Sequence, residues 1–298
     1  MANTQNLPPI RACLFDMDGL LINSEDLYTQ VVNTILKEYG KPDLPWSIKA
    51  QLQGRPAPEA IRIFHAWAQL PISVSDYQTK QAALQEQTFP QTQILPGVLE
   101  LLTNLSATAN TANPVHIALA TSSHTRNFGL KTAHLQNLFS LFPPSRVVLG
   151  DDPRVGPGRG KPLPDIYLVA LECINKEIRE SGNGESAIKP EECLVFEDSV
   201  PGVEAGRRAG MRVVWVPYEG LLKEYAGREE LVLAGLMGEH KDDAAAAADA
   251  LVNEAVKSEP WRVVGSGQTG QTGDGRGELL KSLENFPYAR YGINIPLN

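Results

Sequence analysis

Five short apolar runs rich in β-branched residues, Ile10 to Phe15, Val115 to Ala120, Arg146 to Leu149, Cys193 to Phe196 and Arg212 to Val216, are separated by much longer segments with helical spacing. The runs are continuous in their apolarity rather than alternating, which is the pattern of strands covered on both faces. Strands of that kind, joined by crossovers long enough to hold a helix, pair in parallel. The chain is therefore expected to be an α/β protein built on a doubly wound parallel sheet.

One spacing does not fit a simple crossover, because roughly a hundred residues separate Phe15 from Val115. An extra unit is expected there. Within it, Ser24 to Tyr39 opens with Ser24 as an N-cap and places Leu27, Val31, Val32, Ile35 and Leu36 on one helical face. Residues 58–70 and 75–89 read as two further helices, and 96–105 as the helix that returns the chain to the sheet. The expected organisation is thus a core of residues 1–22 and 96–298 with a helical cap domain, 23–95, inserted into it. Residues 106–114, 179–189 and 265–277 read as loops, 223–277 as an insertion or flexible segment, and the Ala-rich stretch 243–256 as a surface helix. In the last loop, Gly265, Gly270 and Thr272 match a phosphate-binding loop, but Gln271 stands where a lysine must reach the phosphates, so a flexible loop is expected instead.

Charge and composition narrow the partners. Lys and Arg number 27 against 35 Asp and Glu, a net charge of −8, which disfavours nucleic acid and anionic membrane surfaces. No basic-then-apolar leader opens the chain and no apolar run approaches the roughly 18 residues of a membrane span, so a cytoplasmic protein is expected. The three cysteines, Cys13, Cys173 and Cys193, are too widely spaced for a metal pair and odd in number. Reduced, buried thiols are expected.

The chemistry concentrates where apolar runs end, which is where open parallel sheets bind ligands. The first run ends in Asp16-Met17-Asp18-Gly19. Residues two apart in an extended segment point the same way, so two carboxylates stand side by side and can divide the work of nucleophile and proton donor. A calcium loop is excluded, because Leu21 and Leu27 occupy the positions where such a loop needs Gly and Glu. The second run ends in Thr121-Ser122-Ser123, a hydroxyl and free N–H groups before a helix, suited to cradling phosphate. Lys161, in Gly160-Lys161-Pro162, sits on a short turn before an apolar helix and can neutralise a carboxylate and a phosphoryl oxygen. The fourth run ends in Glu197-Asp198-Ser199. If these four acids share one mouth, like charges about 4 Å apart repel by roughly 4 kcal/mol at an effective dielectric of 20, which calls for a divalent ion. All-oxygen ligation suits Mg²⁺ rather than zinc.

In this order, the segments FDMDGLL, ALATSS, GKPLPDIY and LVFEDSVPGVEAG resemble the four motifs of the haloacid-dehalogenase-like hydrolases, and the inserted cap resembles the helical type of the β-phosphoglucomutase-like branch. The connecting segments FSLF, VVLGDDP and AGMRVVWVP, with the cap stretch LQGRPAPEA, are similar to the pseudouridine 5′-phosphatases of that branch. The resemblance implies a Rossmann-like core and a Mg²⁺-dependent phosphatase. Asp16 would be the nucleophile that forms an aspartyl phosphate, and Asp18 the general acid and base. Thr121, the Ser122 N–H and Lys161 would hold the phosphoryl oxygens. Asp16, the Asp18 carbonyl and Asp198 would hold the metal, with Glu197 ligating through water or orienting a ligand. The substrate would be a small phosphorylated metabolite, pseudouridine 5′-phosphate or a sugar or polyol phosphate, and the protein a monomer or weak homodimer. In the cap, Gly54 and Arg55 lie in a loop expected to close over the site and bind substrate, while His124 reads as a helix-surface residue. A sugar phosphomutase and an inactive binding protein on the same fold remain the alternatives.

Overall fold

In the computed structural model, which describes residues 7–55, 57–238, 259, 261–264 and 268–296, each of the five apolar runs contains a strand. These are β1 (Ala12–Phe15), β2 (His116–Ala120), β3 (Val147–Val148), β4 (Cys193–Glu197) and β5 (Arg212–Trp215). A sixth, β6 (Gly277–Leu279), was not expected, because a Gly-Glu-Leu stretch carries no apolar run. It needs none, since it lies on the edge beside β5 and is only half-buried. The order is β3-β2-β1-β4-β5-β6, parallel throughout. Strand order reverses between β1 and β4, and the crevice at such a reversal is where doubly wound sheets take their ligands.

Burial alternates strictly between the two faces. Ala12, Leu14, Ala118, Ala120, Val195 and Trp215 face one core with α8 (Asp165–Ser181) and α9 (Val200–Arg208). Cys13, Phe15, Ile117, Leu119 and Phe196 face the other with α5 (Val98–Ala107) and the C-terminal Phe286, Tyr291 and Ile293. All three cysteines are free and buried.

Between β1 and α5 stand α1 (Ser24–Glu38), α2 (Trp46–Leu52), α3 (Ala57–Ala68) and α4 (Val74–Thr88), with α2 unforeseen. They enclose a separate small core of Val32, Ile35, Leu36, Phe64, Ala68 and Tyr77. The segments that enter and leave this unit run side by side. Ile22 bridges Ile94 in antiparallel fashion, Asn23 N–H donates to the Gln93 carbonyl at 3.0 Å, and Gln93 N–H donates to Asn23 Oδ1 at 2.7 Å. Ser24 is not the cap of α1: it is the first helical residue, Asn23 precedes it without a capping bond, and the Ser24 hydroxyl turns toward Asp18.

Among the described residues the remaining α-helices are α6 (Thr125–Thr132), α7 (Gln136–Phe139), α10 (Glu219–Glu224) and α11 (Glu229–Leu233), with a short helix at Trp261–Val264. The expectation of a loose segment over 223–277 needs correction where the chain is described. Val232, Leu233 and Trp261 are buried in the core, and Gly270 N–H donates to the Ala234 carbonyl at 2.9 Å. The Ala-rich stretch 243–256 and residues 265–267 lie outside the described residues. Among the described residues no helix is long and apolar enough to cross a membrane.

Phe15, the last residue of β1, stacks on Phe196 with centroids 4.5 Å apart and meets Phe142 edge-on at 6.0 Å. Phe15→Ala is expected to lower stability by about 3–5 kcal/mol, read as a lowered urea midpoint at unchanged slope; a midpoint equal to that of the parent protein would show that this stack does not anchor the strand.

Candidate active site

The sheet register brings the acids together. Phe15 pairs with Phe196, so the next residues, Asp16 and Glu197, emerge side by side from β1 and β4. Asp16 N–H continues the ladder to the Phe196 carbonyl at 3.0 Å. Lys161, fully buried on the turn before α8, donates to Asp16 Oδ1 and, at 2.6 Å, to Glu197 Oε1. Both Glu197 oxygens are heavily used: Oε1 also accepts from Tyr167 OH at 2.7 Å, and Oε2 accepts from the Ser199 N–H and hydroxyl, each at 3.0 Å. Glu197 is thus hydrogen-bonded through both oxygens, with Oε1 shared between Lys161 and Tyr167. Asp198 is fixed by its carbonyl, which accepts from Trp215 Nε1 at 2.9 Å.

Asp16, Glu197 and Asp198 are buried and offer carboxylate oxygens within 4.8 Å of one another. Three carboxylates face one ammonium. Burial and the neighbouring acids push Asp16 up to about 7 against the pull of Lys161, and burial with Glu197 and Asp16 raises Asp198 well above the usual range. Such a set is short of positive charge and all oxygen, which fits a hard divalent cation such as Mg²⁺. Gly19 keeps the approach open: its φ of +81° suits glycine, and a Cβ there would strike the Asp198 carboxylate.

Asp18 occupies a different environment. Its carboxylate accepts from Ser24 Oγ at 2.5 Å, Ser123 Oγ at 2.6 Å and Lys131 Nζ at 2.5 Å. Burial would raise its pKa, but the Lys131 ammonium and these hydrogen bonds outweigh that and hold the carboxyl below its ordinary value. Lys131 is itself fully buried, flanked by the rings of Tyr28 and Phe89. The two acids of one Asp-Met-Asp stretch are thus driven in opposite directions, Asp16 upward by burial and its neighbouring acids and Asp18 downward by Lys131 and its hydrogen bonds.

The strand end after β2 supplies Thr121, buried, with its hydroxyl accepting from Ser123 N–H at 3.1 Å, and half-buried Ser122, whose hydroxyl meets the Gly54 carbonyl at 3.4 Å. Gly54, at φ +74°, packs so closely on Ser199 that a Cβ would collide with its hydroxyl. Arg55 lines the cleft with its Nε donating to the Gln51 carbonyl at 2.6 Å, and exposed His124 stands at the rim. Asp16, Asp18, Thr121, Ser122, Gly54, Arg55 and Asp198 all line one cleft of about 440 Å³, while Lys161 and Glu197 lie behind its floor. Sequence reasoning missed Lys131, Tyr167 and Gln53.

Mg²⁺ at millimolar concentration is expected to raise the melting temperature of the parent protein, as any ligand of the folded state does. Asp198→Asn is expected to melt no lower than the parent without the ion, having one buried charge fewer, and to lose the Mg²⁺-induced rise. An equal rise in both proteins would place the ion elsewhere.

Comparison with known proteins agrees with this geometry. A family profile described as haloacid dehalogenase-like hydrolase matches residues 10–210. A probable pseudouridine-5′-phosphatase of Saccharomyces cerevisiae is 38% identical over 95% of this chain and 98% of its own length. A mitochondrial (DL)-glycerol-3-phosphatase of Arabidopsis thaliana is 38% identical over 75% of this chain and 70% of its own. Among solved structures, a HAD family hydrolase from Deinococcus radiodurans R1 with bound phosphate and sodium is 28% identical, with a TM-score of 0.51 over 71% of this chain and 82% of that one. With its parallel sheet, its four motifs and these relatives, the chain belongs to the haloacid dehalogenase-like hydrolases.

Proposed function

We propose that this phosphoric monoester hydrolase is a Mg²⁺-dependent phosphatase of small phosphorylated metabolites, working through an aspartyl phosphate on Asp16. The observation that carries the reading is the pair of adjacent acids in one cleft, each hydrogen-bonded to its own buried lysine, Asp16 to Lys161 and Asp18 to Lys131. Two carboxylates in separate surroundings can divide the work of nucleophile and acid–base residue.

With Asp16 Oδ1 held by Lys161, Oδ2 is the oxygen that attacks phosphorus. The new Asp16–phosphorus bond forms as the bond to the leaving alcohol oxygen breaks, and Asp18 gives that oxygen its proton. Asp18 rests ionised beside Lys131. An entering phosphate adds negative charge next to it and favours uptake of the proton to be donated. In the second half Asp18, ionised again, takes a proton from water as the water oxygen attacks phosphorus, releasing Asp16 and inorganic phosphate. Thr121, the Ser122 N–H and Lys161 hold the equatorial oxygens, the positioning that phosphoryl transfer mostly demands. Asp16, Asp198 and the Asp18 carbonyl would hold Mg²⁺, with Glu197 acting mainly through Lys161; when bound, the ion offsets the acids and draws charge from the phosphoryl oxygens. The substrate is pseudouridine 5′-phosphate or a sugar or polyol phosphate, activities carried in the names of the relatives, and the protein works in the cytoplasm as a monomer or weak homodimer.

Phosphate release from a panel of monoesters, with and without Mg²⁺, tests the reading. Asp16→Asn is expected to abolish release and the acid-trappable phosphoprotein; full activity in that variant would remove Asp16 as nucleophile. Lys131→Met is expected to lower kcat by about 10–100-fold, the usual cost of removing a group that orients a site residue, with KM changed less than about threefold. A rise in KM at constant kcat would make Lys131 a substrate contact instead of a support for Asp18.

A further inference from the structure

The three acids that can hold a divalent ion, Asp16, Glu197 and Asp198, all stand at the ends of β1 and β4, in the core. A side chain of the inserted unit reaches the same spot. Gln53 follows the last residue of α2, is buried, and lines the cleft with Asp16 and Asp198. Its Nε2 donates to Asp198 Oδ2, and because an ionised carboxylate only accepts, this fixes which way the amide points. Asp198 is thereby held at two places, its carbonyl by Trp215 Nε1 at 2.9 Å and Oδ2 by Gln53, while Oδ1 is left without a hydrogen-bond partner among the described residues. Gln53 Oε1 is likewise buried with no partner among the described residues. Native proteins rarely leave such an oxygen unpaired.

Close packing between the inserted unit and the core carries Gln53 to the acids. Its N–H donates to the Lys49 carbonyl at 3.1 Å, which ties it to α2. The other end of α2 lies on the core, where Trp46 stacks on Tyr218 with centroids 5.6 Å apart and Gly220 packs so close to the indole that a Cβ would strike it. Next to Gln53, Gly54 presses on Ser199, the residue after Asp198. The donor is also uncharged. The cluster already sets three carboxylates against Lys161, and a second cation in place of the amide would fill the deficit that a divalent ion fills. A carboxamide aligns the carboxylate and adds no charge, and its hard oxygen can accept from the waters that Mg²⁺ keeps.

We propose that Gln53 is a positioning residue for the divalent cation: it aligns Asp198 from the inserted unit, so that affinity for Mg²⁺ depends on that unit being docked on the core. The inference rests on the Mg²⁺ site of the phosphatase reading above and adds to it a residue outside the four motifs. Asp16, Glu197 and Asp198 all belong to the core, so a link between the ion and the helices needs a group such as this amide. Coupling of this kind is reciprocal: docking that tightens the ion is tightened by the ion in the same proportion.

Mg²⁺ binding without substrate gives the first test. The melting temperature of the full-length protein is followed across a Mg²⁺ series, each variant against its own ion-free value. Gln53→Met, similar in size but without either amide atom, is expected to need about tenfold more Mg²⁺ for the same rise, the usual cost of removing a group that orients a metal ligand. Gly54→Ala, whose methyl would strike Ser199 Oγ and lift the loop, is expected to weaken the ion to a similar degree with Gln53 intact. The double variant is expected to be no weaker than the weaker single one, since either change already takes the amide off Asp198; fully additive losses overturn the inference. In the second test, phosphate release is measured against Mg²⁺ concentration, and the half-saturating concentration is expected to rise about tenfold in Gln53→Met. A lower rate at saturating Mg²⁺ with half-saturation unmoved makes Gln53 a contact of the substrate and overturns the inference, as does a Mg²⁺ series unmoved in both single variants. A parent protein whose melting Mg²⁺ leaves unchanged overturns both the inference and the metal site. Weaker Mg²⁺ binding in the variants of a protein that releases phosphate from no ester overturns the phosphatase reading and leaves the inference standing.

Discussion

A single buried lysine ties the site to the fold. Lys161 reaches from the turn before α8 to Asp16 on β1 and Glu197 on β4, spanning the crevice where the strand order reverses. Buried ion pairs add little net stability by themselves, but removing one partner of such a pair strands the other at high cost. Glu197 is accordingly held in line beside Lys161 by hydrogen bonds to both oxygens, from Tyr167 OH on one and Ser199 on the other. Glu197 thereby turns a lysine on a connecting turn into a fixed cation aimed at Asp16. Two of the three acids in the cluster lean toward protonation, so the site is built for more positive charge than the protein alone provides.

A second lysine does for Asp18 what the first does for Asp16, by a different route. Lys131 comes from α6, and its backbone carbonyl accepts from Thr92 Oγ1 at 2.6 Å, on the segment that leaves the inserted unit. Its side chain meanwhile lies against Tyr28 of α1 and Phe89 just after α4. Asp18 accepts at the same time from Ser24, on the segment that enters the unit. Asp18 is therefore held jointly by the core and the inserted helices, whereas Asp16 is held by the core alone. A shift of the helical unit would change the surroundings of Asp18 before it changed those of Asp16.

Much of this was legible in the sequence because the site residues follow strands. Asp16, Asp18, Thr121 and Asp198 each come within a few residues of an apolar run, and parallel pairing turns those separate positions into one mouth. Such reasoning places residues at strand ends and is blind to groups that arrive from a helix flank or a loop. Lys131 and Gln53 are of that kind: which way they face depends on how α6 and α2 pack, and local composition does not encode that packing. Ser24 shows the complementary error. As a serine ahead of an amphipathic run it reads as a cap, yet its hydroxyl serves Asp18, because a carboxylate acceptor two hydrogen bonds deep in a buried network is a stronger partner than a backbone N–H. β6 escaped notice for a simpler reason, since an edge strand half-open to solvent needs no apolar signature.

The inserted helices matter to the chemistry through what they exclude as well as what they offer. Phosphoryl transfer to an aspartate competes with water unless the crevice is closed, and preorganised donors act more strongly where solvent is absent. Gln53 links that closure to the reacting centre. It leaves α2, donates to Asp198 beside the nucleophile and sits next to Gly54, which is pressed onto Ser199 so tightly that no side chain fits. The contact between the inserted unit and the core is thus made at the acids themselves, by an amide that has one end committed to Asp198 and the other free to take a donor.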